Sequence, residues 1–219
     1  IFIGDEFSSE RSNGNWPRHA GRETSRYDKK LADILAIATR VFADEGYDRA
    51  SIRKVAARAG ISVAGLYYYT SSKEELLFQI QDHAFGELIR QYRERCEELA
   101  DPVDRLRLLI RNHLERFLAN LSELVVCSRE IDRLAGALRE KIEDKHREYF
   151  GLALDLFREL AAQDEQIVVD PRTAALAMFG SINWVHIWYR PETGPSAAQM
   201  ADDLVRLYLK GVLPNKDGK

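Results

Sequence analysis

Three consecutive tyrosines, Tyr67, Tyr68 and Tyr69, put three phenol hydroxyls on one short segment of the 219-residue chain. Successive residues of a helix point about 100° apart, so at most two of the three rings can face a protein core. An exposed hydroxyl can donate a hydrogen bond to a phosphate oxygen while its ring packs on sugar, and Lys73 adds a cation on the same side. We therefore expect contact with a phosphate backbone. A packing role at the rim of the fold is the alternative.

The sequence before and around these tyrosines predicts three helices. In the first helix, apolar residues recur at helical spacing: Leu31, Ile34, Leu35, Ala38, Val41 and Phe42. That helix is predicted to end at Gly46, and a second helix runs from Ser51 as N-cap to Gly60. Ser62 can cap a third helix directly after this short turn. The layout predicts a helix-turn-helix, in which the second helix of the pair faces a groove of DNA.

The segment LADILAIATRVFADEGYDRASIRKVAARAGISVAGLYYYTSSKEELL, residues 31–77, resembles the DNA-binding domain of the TetR family of transcriptional regulators. The matching positions include Phe42, Gly46, Tyr47, Ser51, Val55, Ala56, Ala59, Gly60, Ser62, Leu66, Tyr67, Lys73, Glu74 and Leu76. The resemblance implies a ligand-responsive repressor that binds a palindromic double-stranded DNA operator as a homodimer. It also implies that the following residues contact DNA: Ser51, Arg53, Ser62, Val63, Ala64, Gly65, Tyr67, Tyr68, Tyr69 and Lys73.

The sequence departs from the family pattern at Ala64, Tyr69 and Thr70, where glycine, histidine and phenylalanine are common. These changes leave the expected fold intact. They affect base readout, because Val63, Ala64 and Gly65 offer almost no side-chain hydrogen bonds to base edges. We therefore expect sequence recognition to depend on apolar contacts with thymine methyl groups or on DNA shape.

The remainder of the chain is also helical in pattern, so the predicted fold class is all-α, with about nine helices in total. Breaks at ADPVD, LAGAL, VVDPR and RPETGPS separate the later helices. We divide the chain into a flexible tail (1–26), a TetR-type helix-turn-helix DNA-binding domain (27–75), a ligand-binding and dimerisation domain (76–213) and a second tail (214–219).

Two apolar stripes rich in aromatic residues favour a hydrophobic ligand pocket in the C-terminal domain. One stripe carries His113 and Phe117, and the other carries Tyr149 and Phe150. A histidine in such a stripe is also typical of a core residue bonded to a neighbour. A further segment, residues 171–190, is apolar nearly all round, which predicts a helix buried on more than one side.

Within that segment, SINWVHIWYRPETGPS resembles the NWxxxWYRP stretch of TetR-family regulators of fatty-acid and sterol catabolism that respond to coenzyme A thioesters. The resemblance implies a small hydrophobic ligand of the acyl-CoA class. The expected ligand contacts are His113, Phe117, Tyr149, Phe150, Phe179, Asn183, Trp184, Trp188 and Arg190. Two alternatives stay open: the tryptophans belong to a dimer core, or the chain is a TetR-type sensor of a drug-like or aromatic compound that controls efflux.

The last helical segment predicts a dimer interface. One face of SAAQMADDLVRLYLKGVL is apolar and the other is charged, and the segment follows an almost wholly apolar helix. Such a pair of helices is typical of half a four-helix interface between two identical chains. The residues expected at this interface are Met200, Leu204, Leu207 and Tyr208.

Several functional classes are disfavoured by the composition. The net charge of −3 argues against a protein covered by nucleic acid, so DNA contact must be confined to one face. No apolar run approaches the roughly 18 residues of a membrane span, so we expect a cytoplasmic protein without membrane contact. Cys96 and Cys127 have no zinc-type spacing, and catalytic motifs are missing, so we expect no metal, no cofactor and no enzyme activity.

Overall fold

The computed structural model describes residues 26–163 and 169–212, and this part of the chain is entirely helical. The predicted all-α fold with an N-terminal helix-turn-helix is confirmed. The helices are α1 (Arg26–Glu45), α2 (Ile52–Arg58), α3 (Val63–Tyr67), α4 (Lys73–Cys96), α5 (Pro102–Ala119), α6 (Leu121–Arg129), a 3-10 turn (Ile131–Arg133), α7 (Gly136–Gln163), α8 (Pro171–Asn183), α9 (Val185–Trp188) and α10 (Ala197–Val212). Apart from Arg26, which begins α1, both predicted tails lie outside the described residues.

The described helices number ten besides the 3-10 turn, one more than the approximate prediction. Residues 171–190, expected to form one helix buried on more than one side, divide into α8 and α9 at Trp184. That expectation is wrong for the single chain, because Trp184, Ile187 and Trp188 are all exposed. The composition indicated an apolar surface correctly, but the chain itself does not cover it.

The N-terminal core is built around the apolar face of α1. Ile34, Ala38 and Val41 are fully buried there, as their recurrence every three or four residues requires. Leu66 of α3 and Leu76 at the start of α4 complete this core from the opposite side. The short helices α2 and α3 are therefore held by a few buried side chains each, because helices of this length are not stable alone.

The turn between α2 and α3 depends on Gly60. This residue has a φ of +65°, and its N–H donates to the carbonyl of Ala57, while the N–H of Ile61 donates to the carbonyl of Ala56. These two bonds close a Schellman motif, which satisfies the last carbonyls of α2 and reverses the chain. The predicted helix end at Gly60 is confirmed.

The larger core lies between α4, α5, α7, α8 and α10. Leu88 of α4, Leu109 of α5 and Ala153 of α7 are fully buried within it, together with Met178 of α8. The first turns of α4, through Leu76, instead join the N-terminal core. The domain boundary that we proposed between residues 75 and 76 therefore lies inside one continuous helix.

None of the described helices combines the length with the apolar character that a membrane span requires. Within the same described residues, no three histidine, cysteine or acidic side chains are grouped so that they could hold a metal ion.

Two glycine-to-alanine substitutions should change stability in opposite directions. Gly60→Ala should lower the free energy of unfolding by about 1 kcal/mol, because an alanine side chain disfavours the left-handed backbone that the turn requires. Gly151→Ala should raise it by about 0.5–1 kcal/mol, because Gly151 lies inside α7 with open space around its Cβ position. Urea denaturation followed by circular dichroism measures both. Equal shifts in the two variants would show that the turn does not depend on Gly60.

Candidate functional site

The helix-turn-helix pair is fixed at its helix starts by two serine caps. Ser51 accepts a hydrogen bond from the N–H of Lys54, and Ser62 accepts one from the N–H of Gly65 at 2.9 Å. Each cap satisfies an otherwise unpaired N–H at the helix start. Through these hydrogen bonds, the two serines fix the starts of α2 and α3. Both residues are also exposed.

Few side chains of α3 between Val63 and Leu66 face outward. Leu66 is fully buried and anchors the helix, while Val63 is half-buried and packs against the same core. Ala64 is exposed, and Gly65 is packed closely enough that a Cβ would lie 3.2 Å from the Ser62 hydroxyl oxygen. Of the predicted base-reading residues, Ala64 therefore presents the most accessible side chain.

The three tyrosines have different environments. Tyr67 is 52% exposed and Tyr68 is 73% exposed, whereas Tyr69 is half-buried. The ring of Tyr27, at the start of α1, stacks on Tyr69 with the centroids 5.0 Å apart and meets the edge of Tyr68 at 5.7 Å. Sequence analysis missed Tyr27, because nothing local to α1 indicates that its first turn meets the end of α3.

The basic residues of this face divide into paired and unpaired cations. Lys54 and Arg58 both form ion pairs with Glu45. Arg53, also on α2, is exposed and makes no ion pair with any residue that the structure describes. Lys73 is half-buried: its Nζ lies 4.1 Å from the centroid of the Tyr47 ring and also donates to a backbone carbonyl. Arg53 is thus the cation on α2 that is free to meet an anion.

Five predicted ligand-site residues meet in the larger core as one aromatic cluster. The ring of His113 lies 4.7 Å from Phe117 and 6.1 Å from Tyr149, measured between centroids. Phe179 lies 5.4 Å from Tyr149 and 5.9 Å from Phe150. The expectation that the stripes of α5 and α7 face each other agrees with this packing. The rings touch one another, so the cluster is a filled core rather than an open tunnel.

His113 is a buried polar group that is only partly satisfied. Its Nδ1 atom lies 3.3 Å from the hydroxyl oxygen of Tyr149, and its Nε2 atom has no hydrogen-bond partner. Burial lowers the pKa of His113 to about 3, while the side chain of Asn183 acts in the opposite direction. The ring is therefore neutral near pH 7. If the Tyr149 hydroxyl donates to Nδ1, Nε2 carries a proton that has no acceptor.

The remaining predicted ligand residues lie outside this cluster. Trp184 and Trp188 are 61% and 52% exposed and line a surface groove of about 460 Å³. Arg190 is exposed and donates to the carbonyl of Tyr189. Asn183 is half-buried and lies between the two regions. Its side chain acts to raise the pKa of His113, and it directly precedes Trp184 in the sequence.

The predicted dimer residues share that groove. Met200 and Leu204 of α10 line it together with the two tryptophans. Leu207 is 64% exposed in the single chain, and the Tyr208 hydroxyl lies 2.7 Å from the Ser181 hydroxyl of α8. The structure thus places the exposed tryptophans on the same apolar surface as α10, as the dimer-core alternative for the tryptophans expects.

A polar junction, which sequence analysis also missed, joins the helix-turn-helix region to the C-terminal helices. Arg133, in the 3-10 turn, forms an ion pair of 2.6 Å with Asp48, which follows α1. The carboxylate of Glu74, at the start of α4, accepts a 2.8 Å hydrogen bond from the N–H of Ala135. Both contacts link residues far apart in sequence, so no local pattern could reveal them.

Comparison with known proteins agrees with this geometry. Residues 34–80 match the model of bacterial regulatory proteins of the tetR family, and residues 99–212 match that of the tetracyclin repressor-like C-terminal domain. The HTH-type transcriptional repressor KstR2 of Mycobacterium tuberculosis is 25% identical over 194 residues, which cover 87% of this chain and 96% of KstR2. The fatty acid metabolism regulator protein of Bacillus subtilis is 23% identical over 185 residues, or 84% and 95% of the two chains.

Among solved structures, AibR in complex with isovaleryl coenzyme A and operator DNA has a TM-score of 0.72 and 29% identity, covering 81% of this chain and 97% of AibR. The residues that match the two family models form the helix-turn-helix and the C-terminal helical core described above. The chain belongs to the TetR family of bacterial transcriptional regulators.

Proposed function

We propose that this regulator binds a palindromic operator as a homodimer, represses transcription there and leaves the DNA when an acyl-CoA thioester binds. The observation that carries the proposal is the pairing, in one chain, of an exposed helix-turn-helix surface with a buried aromatic cluster that holds an unpartnered polar atom. AibR, with a similar fold, has been crystallised with isovaleryl coenzyme A and operator DNA. The name of the fatty acid metabolism regulator protein of Bacillus subtilis supports a ligand from fatty-acid metabolism.

DNA contact is assigned mainly to phosphates. The exposed hydroxyls of Tyr67 and Tyr68 and the unpaired guanidinium of Arg53 can donate to phosphate oxygens. The groove-facing surface, by contrast, offers little beyond the methyl group of Ala64. Binding should therefore depend strongly on salt concentration, because each phosphate contact by a cation releases counterions.

Arg53→Gln should weaken operator binding about tenfold or more, and it should lower the slope of log affinity against log salt by about two, because the bound homodimer carries two copies of Arg53. The matched control is Arg58→Gln on the same helix. Arg58 already pairs with Asp44 and Glu45, so its loss should change the slope much less. A mobility-shift titration at several salt concentrations measures both variants, with a fragment selected from genomic DNA by the wild-type protein. Equal slopes in the two variants would contradict the phosphate role of Arg53.

The dimer is assigned to α8, α9 and α10. Leu207 and the two tryptophans leave a large apolar surface in contact with water in the single chain, which is typical of a surface that another protein covers. We assign this surface to a second copy of the chain, because a dimer would present two recognition helices to DNA. Two recognition helices about 34–36 Å apart can enter successive major grooves of a palindrome.

Leu207→Glu should convert the dimer into monomers without unfolding the chain. Leu207 is exposed in one chain, so the new carboxylate is hydrated until a partner buries it, which would cost several kcal/mol. The matched control is Arg206→Glu, which changes an exposed neighbouring residue that pairs with Asp203. Sedimentation velocity distinguishes the states. A Leu207→Glu variant that remains dimeric would move the interface to another surface.

The ligand is assigned to a path from the aromatic cluster to the exposed tryptophans. The acyl chain would enter among the rings of Phe117, Phe150 and Phe179, which would have to separate to admit it. The Nε2 atom of His113 is buried and has no hydrogen-bond partner. In the tautomer that carries the proton on Nε2, this N–H can donate to the carbonyl oxygen of a thioester. Leaving a buried donor unpaired costs about 1–3 kcal/mol, so a ligand that pairs it gains a corresponding advantage.

A sensor for a flat aromatic cation is the less favoured candidate. It would require a carboxylate among the aromatic rings. The nearest candidates are engaged elsewhere: Glu115 pairs with Arg95 and Arg111, and Glu123 pairs with Arg116.

Long-chain acyl-CoA should release the protein from operator DNA, and a cationic dye should not. His113→Leu should raise the acyl-CoA concentration needed for release about tenfold, because the carbonyl loses its donor. The same variant also removes the hydrogen-bond partner of the buried Tyr149 hydroxyl, so it should lower the free energy of unfolding by about 1–3 kcal/mol while the chain stays folded. Fluorescence anisotropy of labelled operator DNA gives the release curve.

His83→Leu is the matched control, since His83 is an exposed histidine on α4 and its loss should leave release unchanged. Release by the dye alone would exclude the acyl-CoA assignment. An unchanged release curve for His113→Leu would exclude the role of its Nε2 atom.

A further inference from the structure

Arg129, the last residue of α6, differs from its neighbours in its charge environment. Residues 73–163 are all described by the structure, and every other arginine among them forms an ion pair with a carboxylate. Arg129 is exposed and forms none. In a chain with more acidic than basic residues, a guanidinium without a counter-charge is a candidate for binding an external anion.

The nearby carboxylates are already committed to other groups. Glu123 pairs with Arg116 at 2.8 Å. Glu130, next to Arg129 in sequence, lies against Arg133 and the backbone N–H of Tyr47. No small side-chain movement is therefore expected to neutralise Arg129 without breaking an existing contact.

The partner of Arg129 is a histidine. Its Nη2 atom lies 3.2 Å from Nε2 of His186 in α9, and Nδ1 of His186 lies 2.8 Å from the carbonyl oxygen of Asn183. The carbonyl can only accept, so Nδ1 carries the proton and Nε2 accepts from Arg129. The imidazole thus orients the guanidinium without neutralising it. The other N–H groups of Arg129 have no hydrogen-bond partner among the described residues.

The surroundings combine positive charge with an exposed aromatic ring. Trp184 meets the His186 ring edge-on, with the centroids 5.9 Å apart, and is largely exposed. Arg190, beyond the other end of α9, also lacks an ion pair. Glu192 is the one acidic residue between Trp184 and Ser196, and it pairs with neither arginine. Guanidinium groups without a carboxylate partner are suited to a ligand that carries phosphates.

We propose that Arg129, oriented by His186, binds a phosphate group of the coenzyme A portion of the ligand at the junction of α6 and α9. The inference rests on the proposed acyl-CoA function and adds an anion site on α6 whose guanidinium is oriented by a residue of α9. Coenzyme A carries a diphosphate and a 3′-phosphate on its adenosine end. A bidentate contact to one phosphate would use the N–H groups of Arg129 that do not face His186.

The test compares two ligands with the same acyl chain: the coenzyme A thioester and the S-acyl-pantetheine thioester, which has no phosphate. Arg129→Gln should weaken binding of the acyl-CoA about tenfold or more and leave binding of the acyl-pantetheine unchanged. Arg129→Lys, which keeps the charge but not the planar fork, should fall between the wild type and Arg129→Gln. Arg158→Gln, an exposed arginine of α7 paired with Asp155, is the matched control. Isothermal titration calorimetry measures each dissociation constant.

An equal loss for both thioesters in Arg129→Gln would overturn the proposal, since Arg129 would then act only by holding the helices in place. Unchanged acyl-CoA binding would overturn it as well. Coenzyme A without an acyl group separates this inference from the proposed function. If the wild type binds neither thioester but binds coenzyme A in an Arg129-dependent way, the phosphate site stands and the acyl assignment fails. If coenzyme A does not bind either, both fail.

Discussion

The continuity of α4 constrains the rest of the structure. It is one helix of 24 residues, about 36 Å long, and its first turns are buried with α1 and α3 while its later turns are buried with α5 and α7. A close-packed helix of this kind moves as a unit, because interiors are nearly incompressible. Phe85 of α4 meets the ring of Tyr149, with the centroids 5.9 Å apart. A ligand that separates the aromatic rings there would therefore displace Leu76 as well, and with it the support of the recognition helix α3.

The polar junction gives this coupling a second route. Arg133 and Asp48 are largely solvent-exposed, and a surface ion pair of this kind contributes little to stability. Its effect is geometric, because it fixes the turn after α1 to the segment between α6 and α7. The buried side chains of Val126 and Leu134 join the N-terminal core on the same side. A shift of α6 would thus reach α1 through both packing and charge.

The proposed ligand and dimer surfaces meet at α9. Trp184 and Trp188 lie in one groove with Leu204 of α10, and Asn183 connects them to the buried His113. Anion binding at Arg129 would pull on the same short helix. In the proposed dimer, binding of the proposed ligand would alter the angle between the two protomers as well as the position of α4, and both changes would affect how two recognition helices match successive grooves of DNA.

The helices and the helix-turn-helix could be predicted from local patterns, because they depend on signals within a few residues: the spacing of Ile34 and Ala38, the Ser62 cap and the left-handed Gly60. The sequence also identified the residues that share the aromatic cluster, since helical spacing assigns four of them to the inner faces of α5 and α7, and the fifth, Phe179, belongs to the apolar segment that forms α8. Only the tertiary structure separated Trp184 and Trp188 from that cluster, stacked Tyr27 on Tyr69 and paired Arg129 with His186. These contacts join residues distant in the chain, and the period of a helix defines its apolar face without defining which surface will cover it.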